Sequence, residues 1–390
     1  MFNELKVLEL ASVLAGPAVG QFFAELGASV IKVENLKTNG DVTRTWKTFG
    51  EDTDDRSAYF SAVNWGKRSI SINLDHREGL SIVHELVRQS DIVVASYKPG
   101  DAKRLGVDYE SVSKIYPQII YGEISGYGSE DQRVGYDAVI QAESGFMFMN
   151  GEPGQASLKM PVALIDILAA HQLKEGILLA MLRQTKTGEG AHVRVSLLQA
   201  AISSLANQAT NWLVGRRIPQ KQGSTHPNIS PYGDVFLSAT GSEILLAIGT
   251  DNQFQILCEV IDVQQLRDDP RFATNTLRVQ YRRELHEILQ TAISKFSTDL
   301  LMTKLSLSKI PAGVIRSVNQ VFELPAAKEI MLHSSDREGV KTFIGSPFSE
   351  NSSHFLPPPH IGEHTIEILS NDLKFDNNVI QQLFSSNIIR

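Results

Sequence analysis

Cysteine is nearly absent. Cys258 is the only one in 390 residues, so no intrachain disulfide forms. Its neighbours Ile256, Leu257 and Val260 suggest a small buried hydrophobe rather than a reactive thiol. Long apolar runs are also lacking. None reaches the roughly 18 residues that a membrane span requires. Basic excess is missing as well. The net charge of −7 argues against a nucleic-acid partner, although it leaves room for a local basic pocket for phosphates. A strand is predicted almost at once after the N-terminus, so no signal or transit peptide is expected. The expectation is a cytoplasmic protein with no membrane partner. Two catalytic signatures are absent too. The first glycines run Gly16-x-x-x-Gly20, not G-x-G-x-x-G, so the dinucleotide fingerprint fails even though Glu34 falls where a ribose-binding acid would lie. No G-x-S-x-G elbow supports serine-hydrolase chemistry.

What is present is ordinary for a soluble enzyme: 42% hydrophobic and 21% charged residues. The length exceeds a single typical core and predicts two domains. Leu5–Leu10 reads as a buried strand, Ala18–Leu26 as a helix with Pro17 at its first position, and Ser29–Glu34 as a second strand. Strands follow at Ser69–Leu74, Asp91–Ala95 and Gln118–Ile124, with a helix over Arg77–Gln89. This alternation predicts a parallel sheet covered on both faces. Val193–Val195 reads as a short strand and Leu197–Leu213 as one further helix. The polar, basic stretch from Gly215 to Gly223 reads as a linker, with a phosphate-binding patch as the alternative. A hairpin is expected around Thr240-Gly241, and short helices fill most of Asp251–Leu324. Loops and strands follow Ala326, His354–Pro359 is extended, and the last thirty residues form a helical tail.

Asp166 is the residue of most interest. It ends the apolar run Met160–Ile165, and a long amphipathic segment from Ile167 to about Thr185 follows. An Asp there caps the free N–H groups of a helix start, or serves as a desolvated covalent nucleophile. Gly126, Gly128 and Gly135 near Asp137 fit either loop geometry or close backbone approach to a reacting carbonyl. Arg104, Lys98, Lys67 and Arg68 are candidate cations for phosphate groups.

Several pieces in order carry a family resemblance. They are Ala15-Gly16-Pro17, Leu26-Gly27-Ala28 with Val30–Glu34, Gly40-Asp41-x-x-Arg44, Asn64-x-x-Lys67-Arg68-Ser69, Pro99-Gly100, Leu105-Gly106, Ser125–Gly128, Gly135-Tyr136-Asp137 and Thr187-Gly188-x-Gly190. The set resembles the family III CoA-transferases (the CaiB/BaiF family) over essentially the whole chain. The resemblance implies a Rossmann-like large domain with a parallel sheet, a smaller α+β domain, and an interlocked homodimer. It places the large domain at 1–213, a linker at 214–228, the small domain at 229–325, and a linker with return to the large domain at 326–390. It implies Asp166 as the catalytic nucleophile. It implies CoA contacts from Leu14, Ala15, Asn35, Ile72, Asn73, Leu74, Asp75, Ser96, Tyr97, Lys98, Arg104, Val134, Tyr136 and Asp137, and a substrate contact from Gly249. CoA thioester is then a substrate, with no permanently bound cofactor and no metal.

The chain departs from the family pattern in places. Tyr136 stands where the related acyl-CoA racemases carry a His, and a tyrosine, with a reference pKa near ~10, is a poor base at neutral pH. Ser96-Tyr97-Lys98 replaces a usual Asn-Phe-Arg, Asn35 replaces a frequent basic residue, and Ile248-Gly249-Thr250 stands where formyl-CoA transferases carry a glycine-rich lid. Gly249–Phe254, Asn275-x-x-Arg278, His226 with Pro231-Tyr232, Pro357–Pro359 and Gly362–Thr365 resemble the succinyl-CoA:dicarboxylate branch, glutarate type included. The expected activity is CoA transfer from an acyl-CoA, such as succinyl-CoA, to a dicarboxylic acid. The alternatives are an α-methylacyl-CoA racemase and a non-catalytic CoA-binding protein.

Overall fold

The structure is a computed structural model that describes residues 2–128, 130–345 and 355–390. Its contacts divide the chain into two compact units: residues 1–146, 159–216 and 329–390 in the first, and 147–158 and 217–328 in the second.

The first unit opens with β1 (Lys6–Leu10), α1 (Ala15–Glu25) and β2 (Ser29–Asn35). β1 is buried at four of its five positions, as a strand covered on both faces must be. Pro17 is the third residue of α1 rather than the first. It remains within the turn whose N–H groups have no intrahelical acceptor, so its missing donor costs nothing. β3 (Lys67–Ile72), α2 (Arg77–Arg88), β4 (Ile92–Ala95), the one-turn α3 (Asp101–Arg104) and β5 (Ile120–Ser125) follow. Then come α4 (Asp137–Glu143), the long α5 (Leu164–Thr187), which Gly188 stops at a φ of 69°, and β6 (Ala191–Ser196).

Among the described residues these six strands form one sheet, wholly parallel, in the order β3-β2-β1-β4-β5-β6. The expected mixed α/β architecture is therefore present. One face is filled by Phe22 and Phe23 of α1 with Ile165, Leu173 and Ile177 of α5. The other takes Val83 and Leu86 of α2. Strand order reverses between β1 and β4. In open α/β sheets the carboxyl ends of the strands at such a point frame a crevice.

The single helix expected over Leu197–Leu213 is two, α6 (Leu197–Ser203) and α7 (Ala206–Leu213). The hydroxyls of Ser203 and Ser204 both donate to the carbonyl of Ala200, at 3.0 and 2.7 Å, and Ala206 takes a φ of 46°. Serine side chains compete here with the helix's own hydrogen bonding, which apolar periodicity does not register.

The second unit carries the expected hairpin, β7 (Tyr232–Leu237) against β8 (Glu243–Ala247). A third antiparallel strand, β9 (Ala312–Val314), was not foreseen. With α8 (Asp251–Val260), α9 (Arg282–Ile293) and α10 (Thr298–Leu307) the sheet encloses its own core around Phe236, Leu246, Leu257, Leu285 and Leu301. Cys258 is buried in that core, and burial pushes its thiol up to about 12. The thiol is inert, as its neighbours implied.

The chain then returns to the first unit through a small hairpin, β10 (Met331–His333) with β11 (Glu338–Val340), and ends with α11 (Asn377–Ser385). His354, expected to begin an extended segment, lies outside the described residues. The returning segment runs along the outer edge of β3. Gly66 donates to the Leu356 carbonyl, His364 to Ser69, Asn73 to Ile388 and Arg390 to Ser71.

Candidate functional site

The crevice at the β1/β4 switch holds two adjoining cavities of about 160 and 140 Å³, which share Ser12, Ser96 and Tyr97. The first is lined by the β1–α1 turn, by Lys98 and Pro99 after β4, by Gly126 after β5, by Val134–Asp137, and by Asp166. The second is lined by the ends of β1 and β2, including Lys32, Glu34 and Asn35, and by Asp41 and Leu74.

Asp166 is the third residue of α5 and 6% exposed. It does not cap the helix. Ala163 occupies the cap position and makes no side-chain bond, while Oδ1 of Asp137 accepts the Ile165 N–H at 2.7 Å. Oδ2 of Asp137 accepts from Gln141 Nε2 at 2.7 Å, and Gln141 Oε1 accepts the Met160 N–H at 2.8 Å. Asp137 and Gln141 thus tie the segment before α5 onto α4. The Asp166 carboxylate has no hydrogen-bond donor among the described residues. Burial, and then the like charge of Asp137, push it up to about 7. It is a carboxylate that water barely reaches, at a cavity wall, near the threshold of ionisation at neutral pH.

On the wall of the same cavity, α1 begins without an acidic residue in its first turn. Ala15 and Gly16 line the same cavity. Their N–H groups are those a helix start leaves without intrahelical acceptors, and together with the helix dipole they favour negative charge. Gly16 has no room for a side chain, since a Cβ there would lie 2.4 Å from that of Ala11.

The glycines of the Gly126–Gly135 region are required by backbone packing, and Gly126 and Gly135 also line the first cavity. A Cβ on Gly126 would meet the Gly135 Cα at 2.7 Å, and Gly128 has a φ of 107°. The two loops touch backbone to backbone, and that closeness presents Val134–Asp137 to the cavity.

The expected contact residues are mostly gathered here. Ala15, Ser96, Tyr97, Lys98, Val134, Tyr136 and Asp137 line the first cavity, and Leu14 adjoins it as the residue before Ala15. Asn35 and Leu74 line the second, with Asn73 and the exposed Asp75 beside them. Arg104 is 61% exposed, 3.2 Å from Asp75, which also holds Lys37 at 3.0 Å. Ile72 is wholly buried in the core, so its side chain belongs to the sheet and not to a cavity. Gly249 is an exposed residue of the second unit.

Two expected cations are not among the residues that line either cavity. Lys67 is fully buried, 2.7 Å from Glu9 and bonded to the Pro17 carbonyl and Asn64; Arg68 pairs with Glu367 and Asp372 beside β3. Glu34 is no ribose ligand either. Arg44 grips it at 2.5 and 2.8 Å, and Ser69 Oγ donates to it at 2.6 Å.

Sequence reasoning missed Arg133, which stacks on Tyr127 at 3.7 Å at the cavity rim, and Tyr59. Burial, and then the charges of Asp166, Asp137 and Asp41, raise the Tyr59 phenol, which places it near those carboxylates. No local spacing announces either residue. A larger surface hollow of about 780 Å³ lies along β5 and β6, but its acids Glu123, Glu130 and Asp131 are all accessible to solvent. The desolvated carboxylate is in the smaller space.

With this geometry in view, the comparisons with known proteins are specific. Residues 2–365 match CoA-transferase family III, and the chain belongs to that family of enzymes. It is 38% identical over 381 residues to a succinate–glutarate CoA-transferase of Agrobacterium fabrum, covering 94% of each chain. It is 33% identical to the human succinyl-CoA:glutarate CoA-transferase, covering 99% of this chain and 89% of the relative. A crystal structure of a CaiB/BaiF family protein from Brucella suis superposes with a TM-score of 0.82 at 36% identity, covering 94% of this chain and 97% of that one.

Proposed function

We propose that the protein transfers CoA from an acyl-CoA, succinyl-CoA being the favoured donor, to a dicarboxylic acid of the glutarate type, through covalent intermediates on Asp166. The observation that carries this reading is the buried carboxylate of Asp166, without a donor among the described residues, in the same switch-point cavity that the start of α1 lines. A desolvated carboxylate is a far better nucleophile than a hydrated one. It attacks the thioester carbonyl, the C–S bond breaks, and an aspartyl–acyl anhydride and CoA thiolate result. The thiolate attacks the aspartyl carbonyl, giving an aspartyl thioester and releasing the donor acid. The acceptor carboxylate displaces the thiolate again, and the thiolate takes the acceptor's acyl group, restoring Asp166. Each tetrahedral oxyanion is stabilised by N–H groups at the start of α1.

In this reading the cavity shared by Ser96, Tyr97, Lys98 and Val134–Asp137 takes the pantetheine arm. Asn35, Leu74 and Asp75 flank the nucleotide end, with Arg104 and Lys37 at its phosphates. The relatives' activities support the dicarboxylate acceptor. We also propose a homodimer. Leu179 and Leu182 on α5, Ile202 on α6 and Trp212 and Leu213 on α7 leave an apolar surface exposed on the first unit, which supports a second copy as its cover. Tyr136, in place of a histidine, disfavours the racemase. The retained Asp166 disfavours a non-catalytic binder.

The test is an acceptor screen. Succinyl-CoA is incubated with glutarate and related acids, and new CoA thioesters are read by mass. Transfer to a dicarboxylate supports the reading. Hydrolysis alone, or no turnover with any acid, overturns it.

A further inference from the structure

Beneath the β1–α1 turn lies a set of buried charges that the chemistry above does not use. Lys32 is 1% exposed, and its Nζ lies 2.9 Å from Glu9 Oε1, 3.0 Å from Asp41 Oδ2 and 2.8 Å from the Ala11 carbonyl. Asp41 also accepts the Thr43 N–H at 3.0 Å and the Thr43 hydroxyl at 2.8 Å. Its remaining acceptor capacity goes to one backbone group: the N–H of Val13, at 3.3 and 3.2 Å from its two oxygens.

Val13 has a φ of 73°. For a β-branched residue this is an outlier, and such strain persists only where surrounding contacts over-determine it. Here the contacts are identifiable. Lys32 fixes the Ala11 carbonyl before the turn, Asp41 fixes the Val13 N–H within it, and Ser96 Oγ accepts the Ser12 N–H at 3.2 Å. The turn is held from three sides. It is also the shared wall of the two cavities: Ser12 lines both, Val13 lines the Asp166 side, and Lys32 with Asp41 line the other.

We propose that Asp41 is a positioning residue for the acyl-CoA cleft, holding Val13 in its left-handed conformation and so fixing where the start of α1 stands relative to Asp166. This assignment rests on the CoA-transfer reading of that cleft. Charge neutralisation alone is a weak reason for such a network, because a buried ion pair is often no better than well-packed apolar residues. A strained valine at the point of contact gives it a geometric purpose. The carboxylate is kept charged for the task. Burial would raise Asp41, but the Lys32 ammonium and the Thr43 N–H outweigh it and hold it below its usual range.

The experiment is a double-mutant cycle of Asp41→Asn with Val13→Gly, read by steady-state kinetics and by calorimetric binding of CoA. Asp41→Asn is expected to raise the KM for the acyl-CoA by about tenfold, with a smaller fall in kcat. Glycine adopts positive φ without a Cβ penalty. In the Val13→Gly background the same Asp41→Asn change should therefore cost about threefold or less, a coupling between contacting residues. General loss of structure would not be relieved by a second substitution in the turn. An unchanged KM in Asp41→Asn, or a rise that is equal in both backgrounds, overturns the proposal. If Asp41→Asn does not fold, Asp41→Glu keeps the charge beside Lys32 and displaces the acceptor by one methylene. The same rise and the same relief are expected, and their absence overturns the proposal. Should the wild-type protein transfer CoA to no acid, the transferase reading fails, and the Asp41 assignment is then decided by the same cycle measured in the Kd for CoA.

Discussion

Asp137 accepts the backbone N–H of Ile165 at 2.7 Å, one residue before Asp166. One carboxylate thus stabilises the start of the helix that carries the other, while its charge makes that other harder to ionise. Positioning and pKa tuning come from the same side chain.

Asp166→Asn should abolish CoA transfer while CoA still binds, because the amide is no nucleophile. It should also change stability with pH. The folded carboxyl titrates at about 7, against roughly 3.9 when unfolded. Asp166 therefore contributes stability below about pH 4 that is lost as pH rises through 7. The variant should melt higher than wild type at pH 8 and equally near pH 4, with a ceiling of about 4 kcal/mol from ~1.36 kcal/mol per pKa unit. Thermal melts across pH check this, and identical melts at pH 8 contradict it.

Asp137→Asn keeps an oxygen for the Ile165 N–H and removes the like charge. The acidic limb of kcat/KM, which reports the free enzyme's essential base, should move to lower pH than in wild type. Asp137→Ala, which loses the acceptor too, should cost about 1 kcal/mol of stability in addition. An unmoved limb in Asp137→Asn would remove Asp137 from the electrostatics of Asp166.

Arg104→Ala should raise the KM for the acyl-CoA more than it lowers kcat, as loss of uniform binding does. Asp75 now satisfies both Arg104 and Lys37. Asp75→Asn releases Lys37 and one of the two acids on Arg104, which keeps Asp101 at 3.3 Å, and should lower the Kd for CoA, more so at low salt. Calorimetry at two ionic strengths measures it.

A chiral 2-methylacyl-CoA in deuterated water should keep its α-proton. Racemisation needs two groups that take and return the proton on opposite faces, and Tyr136 is a poor second group beside Asp166. Mass spectrometry of the recovered thioester decides, and rapid α-deuteration without transfer to any acid favours the racemase.

Light scattering over a wide dilution range should give a dimer that does not dissociate without unfolding, as expected of interlocked chains. A folded, active monomer at any concentration contradicts it.

Much of the site was legible in local sequence. The β1–α1–β2 unit shows in its apolar runs and in Gly27, and Asp166 shows as an acid placed abruptly at the end of an apolar run. What was illegible is non-local. Nothing near Lys67 indicates that its partner is Glu9, so its charge read as available for phosphate when it is wholly internal. Nothing near Val13 indicates a left-handed backbone, because the cause lies at Asp41. The role of Asp137 depends on Ile165, which is adjacent only once α4 and α5 have packed. Ser203 and Ser204 carried a local signal, but apolar spacing outweighed it in predicting one helix where there are two.

The cover along the outer edge of β3 has a consequence during synthesis. Ser69, Ser71 and Asn73 find partners in His364, Arg390 and Ile388, which leave the ribosome long after the strand itself. At about 5–20 residues per second the delay is on the order of tens of seconds. For that interval the nascent sheet presents an open row of backbone donors and acceptors, which invites pairing with another chain. Soluble yield should depend more on expression rate and temperature than on the stability of the finished enzyme.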